Sequence, residues 1–130
     1  MATFQSRTIT ETGLLETLTD CNTGGDEFFN SGIEFVKFVN DHASEDYNIT
    51  FTPPSTTITT SLHGAVTKSA ITVTVNNGEE VYVGPFKPNV WNTASNKVAV
   101  TYLTTGGAAL STVSSGAHAL KAEVLYIDPK

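Results

Sequence analysis

Three histidines, one cysteine and thirteen acidic residues are the groups from which this chain of 130 residues could assemble a reactive site. His42, His63 and His118 fall in segments that read as loops. None has a carboxylate or a second histidine at metal-ligand spacing on a regular element. A metal site needs three or four converging ligands, so the reading is no metal. Asp20-Cys21-Asn22-Thr23-Gly24-Gly25-Asp26-Glu27 partly follows a calcium loop. Counted from Asp20, the fifth position is Gly24 and the twelfth is Ser31, where oxygen-rich Asp or Asn and then Glu are required. A tight polar turn is the better expectation. Cys21 has no neighbouring base to activate it, and serine nowhere occurs in a Gly-x-Ser-x-Gly elbow. Adjacent acids stand at Asp26-Glu27, Glu45-Asp46 and Glu79-Glu80. Neighbours on a strand point to opposite faces, so none of these makes an acid/base pair by itself. The phosphate-cradling loop Gly-x-x-x-x-Gly-Lys-Ser/Thr is absent. The residues therefore read as no enzyme and no cofactor.

Aromatic side chains are the remaining route to a ligand. Phe28, Phe29, Tyr82, Phe86, Trp91 and Tyr102 could form a stacking platform for sugars on a β-sandwich. Trp91 lies among Pro88, Asn89 and Asn92 and is the leading contact candidate, with plugging the end of a sandwich as its structural alternative.

The elements that must position these residues are strands. Charged residues make up 15% of the chain, against about 25% in an ordinary domain. Threonine, with 21 residues, supplies the missing polarity, and its stiff branched side chain suits a pleated surface. Ile71, Val73 and Val75 alternate with Thr72 and Thr74, which predicts a half-buried strand. Asn76-Asn77-Gly78 follows, a hairpin signal, and Glu80 to Val83 reads as the return strand. Further strands are expected at Thr8–Thr10, Leu14–Thr19, Ile33–Asn40, Asn48–Phe51, Thr57–Leu62, Lys97–Tyr102 and Ala122–Ile127. Ile33–Asn40 is partly apolar on both faces, which predicts a central strand covered on both sides or by a partner chain. Gly106 to Ala119 reads as a loop or hairpin tip. Seven to nine short strands at regular spacing predict one all-β domain over 1–130, an antiparallel β-sandwich of jelly-roll or immunoglobulin-like type. Residues 1–12, polar and extended, are expected to form an arm or an edge strand that adds to a neighbour's sheet.

Charge excludes some partners. The net charge of −6 is uneven, with −7 in residues 1–46 and +1 in the remainder. No basic patch is present for a phosphate backbone, which argues against direct nucleic-acid binding. No apolar run approaches the ~20 residues of a membrane-spanning helix. The N-terminus lacks the charged start and apolar run of a signal peptide, so synthesis in a cytoplasm is expected.

The order of motifs carries a resemblance. Arg7 with Thr12-Gly13-Leu14, Gly24-Gly25-Asp26-Glu27-Phe28, Asn30-Ser31-Gly32 and Phe35-Val36-Lys37-Phe38-Val39-Asn40 form the first half. Glu79-Glu80-Val81-Tyr82-Val83-Gly84-Pro85-Phe86, Trp91-Asn92 and Lys97-Val98-Ala99-Val100-Thr101-Tyr102 form the second. This string resembles a family of small tailed-bacteriophage virion proteins, of the capsid decoration (cement) kind. The resemblance implies a non-enzymatic structural protein, made in the host bacterial cytoplasm. Such a protein binds the outside of the assembled capsid and stabilises it. Its partners would be the major capsid protein and copies of itself, with a trimer expected. The motifs are turns and strand cores, so no functional residues carry over. Phe4, Arg7 and Ile9 on the N-terminal segment, with Trp91, are the candidate interface residues. The alternative is a tail, baseplate or fibre module that binds host glycan or another virion protein.

Overall fold

The computed structural model describes residues 2–22, 24–42, 45–54, 57–60, 64–107 and 120–127. His63, His118 and 108–119 of the expected late loop lie outside the described residues.

The chain is mostly β. In order, the strands are β1 (Ala2–Phe4), β2 (Ser6–Ile9), β3 (Thr19–Asp20), β4 (Asp26–Phe29), β5 (Phe35–Asn40) and β6 (Tyr47–Thr52). After these come β7 (Thr57–Thr60), β8 (Gly64–Thr67), β9 (Ile71–Val75), β10 (Glu80–Val83), a single helical turn α1 (Pro88–Trp91), β11 (Lys97–Thr104) and β12 (Leu120–Ile127). One sheet, here sheet A, has the order β1-β4-β11-β6-β9. Sheet B has the order β10-β5-β12-β2, with β3 also on β12, and β7 pairs with β8 as a separate hairpin.

Alternation along each strand sorts its side chains. In β6, Tyr47, Ile49 and Phe51 point inward and Asn48, Thr50 and Thr52 outward. In β11, Val98, Val100 and Tyr102 are buried between more exposed neighbours. Sheet B answers with Val36 and Phe38 of β5 and with Leu120, Ala122 and Val124 of β12. The Phe38 ring lies 6.1 Å from that of Phe51 and 6.2 Å from that of Tyr102, both edge-on. The two sheets therefore share one core, and their outer faces are left for other work.

Three expectations change. The sheets are mixed rather than purely antiparallel: β1 runs parallel to β4 and β2 parallel to β12. Of the two forms expected for residues 1–12, an arm or an edge strand, Ala2–Ile9 take the second: an edge strand of sheet A and then, past Gln5, an edge strand of sheet B. Each of these strands pairs within the chain on one side, β1 with β4 and β2 with β12.

The second change concerns Asn77-Gly78, which does not close a hairpin. A type I′ turn needs positive φ at both central residues, but only Gly78 has it, at 78°. The chain leaves the plane of sheet A, so β9 pairs with β6 while β10 pairs with β5. Gly78 N and Asn40 N close this arch, donating to Asn40 O and Glu79 O at 2.8 and 3.0 Å.

Third, residues 10–18 are not strand apart from the approach to β3. They form a strap across the outer face of sheet B. Its turn is set by Gly13 at φ 91°, whose N–H donates to Thr10 O. The strap covers β5 from outside at Lys37, which pairs with Glu16, so every side chain of this central strand is buried or half-buried.

Candidate functional site

Two of the four candidate interface residues are core residues. Trp91 is 5% exposed and packs edge-on against Phe86 at 5.6 Å, with Lys68 Nζ 5.0 Å from its ring centre. It closes the end of the core. Pro88 starts α1 with its fixed φ, and Asn30 fastens the far end of that turn. Asn30 Nδ2 donates to Asn92 Oδ1 at 2.7 Å, and Asn92 Nδ2 donates to Asn30 O at 2.8 Å. Phe4 is 5% exposed, because β1 lies flat on β4 and turns its ring inward. Arg7 and Ile9 are half-buried on β2.

The sugar platform is not assembled. Phe28, Phe86, Trp91 and Tyr102 are in the core. The two exposed members, Phe29 and Tyr82, stand on different sheets. The acidic turn is likewise committed internally. Asp26 is fully buried and accepts from Asn22 N at 3.0 Å, Asn22 Nδ2 at 2.7 Å and Tyr102 Oη at 2.8 Å. Burial, with the charges of Asp26 and Asp20, pushes the Cys21 thiol above its ordinary pKa, and burial does the same to Tyr102. A neutral thiol in that setting is a poor nucleophile. Among the described residues, no group of three His, Cys, Asp or Glu side chains could hold a metal ion.

What the fold does assemble is a contrast between two outer faces. On sheet B the outward row is ionic. Glu123 lies nearly buried and accepts from Arg7 Nη1 at 2.9 Å and from Thr17 N of the strap at 3.3 Å. Lys37, directly opposite Glu123, is paired with Glu16 of the strap and lies 3.5 Å from Glu80. The bond that Lys37 donates to Glu16 raises the Lys37 pKa against the opposing effect of burial. Arg7 Nη1 also donates to Leu15 O at 2.8 Å, so both cations tie down the strap. A cavity of about 180 Å³ remains between strap and sheet, lined by Ile9, Leu14, Lys37, Tyr82 and Leu125 among others. It is smaller than the ~300 Å³ at which small-molecule pockets begin.

Sheet A is the opposite. Its outward positions are Thr3 of β1, Glu27 and Phe29 of β4, Lys97, Ala99, Thr101 and Leu103 of β11, Asn48, Thr50 and Thr52 of β6, and Thr72 and Thr74 of β9. The register aligns them in rows: Thr3, Glu27, Ala99 and Thr52; Thr101, Thr50 and Thr72; Leu103, Asn48 and Thr74. Hydroxyls link across the rows. Thr50 Oγ1 and Thr72 Oγ1 are 3.2 Å apart, and Thr74 Oγ1 donates to Asn48 Oδ1 at 2.7 Å. Only two charges stand on this face among the described residues, and they neutralise each other. Lys97 Nζ lies 3.1 Å from Glu27 Oε1 and 4.7 Å from the centre of the Phe29 ring. On a chain of net charge −6, this face has no net charge.

Desolvating an unpaired charge is the main penalty when surfaces meet, and interface centres are depleted of charge. The outer face of sheet A, with Phe29 and Leu103 exposed at about half, fits that profile. Threonine alternation at 72 and 74 announces one strand of it in the sequence. Its extent depends on which strands become neighbours, and no local pattern carries that.

No helix is long and apolar enough to cross a membrane among the described residues. Comparisons with known proteins return no matching family model, no matching curated protein and no matching solved structure.

Proposed function

We propose that this chain is a structural, non-enzymatic docking protein of a tailed-bacteriophage virion. It binds the outside of the assembled capsid through the outer face of sheet A and stabilises the shell. The observation that carries this reading is the threonine-lined face whose two charges are mutually paired. Such a face loses little hydration energy when pressed against a protein surface. The ordered motif string, which resembles the capsid decoration family, supplies the identity of the surface. In this reading the two sheets are a sandwich of the jelly-roll or immunoglobulin-like kind. The major capsid protein is the partner, and several copies act together in an oligomer. Modest single contacts then add into high avidity. Binding the assembled state more tightly than the dispersed one raises the stability of the shell by mass action.

The alternative glycan-binding role relies on Trp91 and its aromatic neighbours. Their burial removes the stacking surface, so no observation favours it.

The test is addition of the purified protein to expanded capsids assembled without it. The reading expects a higher capsid melting temperature and its loss with Thr50→Lys/Thr101→Lys, which puts two unpaired charges at the centre of the face. Equal stabilisation by the variant, or attachment to tails alone, contradicts it.

A further inference from the structure

Sheet edges expose unpaired backbone groups, and proteins protect them with charge, proline, shortness or a covering segment. Three of the four edges of sheets A and B are protected. β1 is three residues long. β10 opens on Glu79-Glu80 and closes on Gly84-Pro85. β2 carries Arg7, and the strap departs from its end. β9 has none of these devices. Its five residues, Ile71-Thr72-Val73-Thr74-Val75, hold no charge, proline or glycine. Among the described residues no strand pairs with its outer side, and the β7–β8 hairpin pairs only with itself.

We infer that β9 is a self-association edge, where a second copy of this chain pairs antiparallel about Val73 to make one continuous sheet of ten strands. The sequence is self-complementary in that register. Val73 meets Val73 of the second copy, Thr72 meets Thr74, and Ile71 meets Val75. Apolar residues stay on the core side and threonines on the outer side in both copies, as a two-fold, isologous contact requires.

The hydroxyls fit as donors and acceptors. Thr74 Oγ1 gives its proton to Asn48 Oδ1, so its lone pairs face outward as acceptors. With Thr50 donating to Thr72, the Thr72 proton is left for Thr74 of the second copy. Two symmetry-related hydroxyl chains, Thr50 to Thr72 to Thr74 to Asn48, then cross the contact. Directly opposed Thr pairs of this kind favour strand pairing.

Area gives a second argument, which rests on the docking reading. Five strands about 4.8 Å apart, each about five residues long, present roughly 400 Å². A stable interface buries about 800 Å² per partner. Joining two copies at β9 doubles the threonine face to about that value, so the docking unit contains a two-fold contact.

Sedimentation velocity of the full chain tests the pairing without any capsid. The wild type is expected to show a species of twice the 13.8 kDa chain mass that dissociates on dilution. Thr72→Lys/Thr74→Lys sets like charges opposite each other at both ends of the contact. It is expected to keep its far-ultraviolet circular dichroism and lose the dimer. Thr72→Glu/Thr74→Glu should behave likewise, and mixing the two variants should restore a dimer. A wild type that is monomeric at every concentration, a three-fold species, or a dimer indifferent to the lysines overturns the inference. Failure of an intact dimer to bind capsids counts against the docking reading and leaves the edge pairing standing.

Discussion

Tyr102→Phe removes the hydroxyl that ties Asp26 and Cys21 to β11, the strand that carries the middle of the threonine face. The substitution removes one oxygen and leaves the ring in place against Phe38. Asp26 then keeps only the two bonds from Asn22 and loses the one from Tyr102 Oη at 2.8 Å. The carboxylate is fully buried, so water cannot replace the lost donor. A hydrogen bond to a charged group contributes about 1.5–3 kcal/mol, and that is the expected loss of stability. At about 2.1 cal/mol/K per residue, the unfolding entropy of 130 residues makes each kcal/mol worth about 4 °C. The melting temperature should fall by roughly 5–11 °C, measured by circular dichroism and matched by urea unfolding with an unchanged slope. Asp26→Asn in the same background should recover part of the loss, because the neutral amide needs the hydroxyl less. A loss below about 0.5 kcal/mol for Tyr102→Phe, within the range of ordinary surface substitutions, refutes the reasoning.

Other consequences come from the same geometry. Arg7→Met leaves the nearly buried Glu123 with Thr17 N alone and frees Leu15 O, so stability should drop by about 1–2 kcal/mol in urea titrations, the partial exposure of Arg7 keeping the figure modest. Gly84 has φ 128°, and a methyl group there would lie 3.0 Å from Phe35 Cα and 3.1 Å from Glu34 O, so Gly84→Ala should cost more than about 1 kcal/mol in thermal unfolding. Cys21 should resist thiol reagents in the native protein as pH is raised through its ordinary 9.0 and react at once when unfolded. Its raised folded pKa gives stability that is whole below 9.0 and is lost as pH rises further, which alkaline urea titrations of wild type and Cys21→Ala would separate.

The strands themselves are legible in the sequence, because alternation is local: Ile71 to Val75, Lys97 to Tyr102 and the central Phe35 to Asn40 all announce their character in a few residues. Pairing is not. Asn77-Gly78 predicts a hairpin by composition, yet a type I′ turn also requires φ that Asn77 does not adopt, and the neighbours Asn40 and Asp46 hold the turn in another shape. The N-terminal segment reads as an arm or an edge strand on a neighbour because it is polar and extended, and only tertiary contact shows that its edge strands lie on this chain's own two sheets. Trp91 reads as a contact residue because prolines and asparagines surround it. The same residues build α1 and the Asn30–Asn92 clasp that turn it inward. The candidate face is half legible. Threonine excess and low charge stand in the composition, but the pairing of Lys97 with Glu27 joins residues 70 apart in sequence.

The central claim is that the uncharged face of sheet A meets the capsid shell. A density map of the intact particle at side-chain resolution tests it most directly. The account predicts this chain on the outside of the shell, with Thr50, Thr101 and Leu103 against capsid protein and the strap over sheet B turned to solvent. Density for the chain on the tail alone, or on the shell with the Arg7–Glu123 face inward, would contradict it.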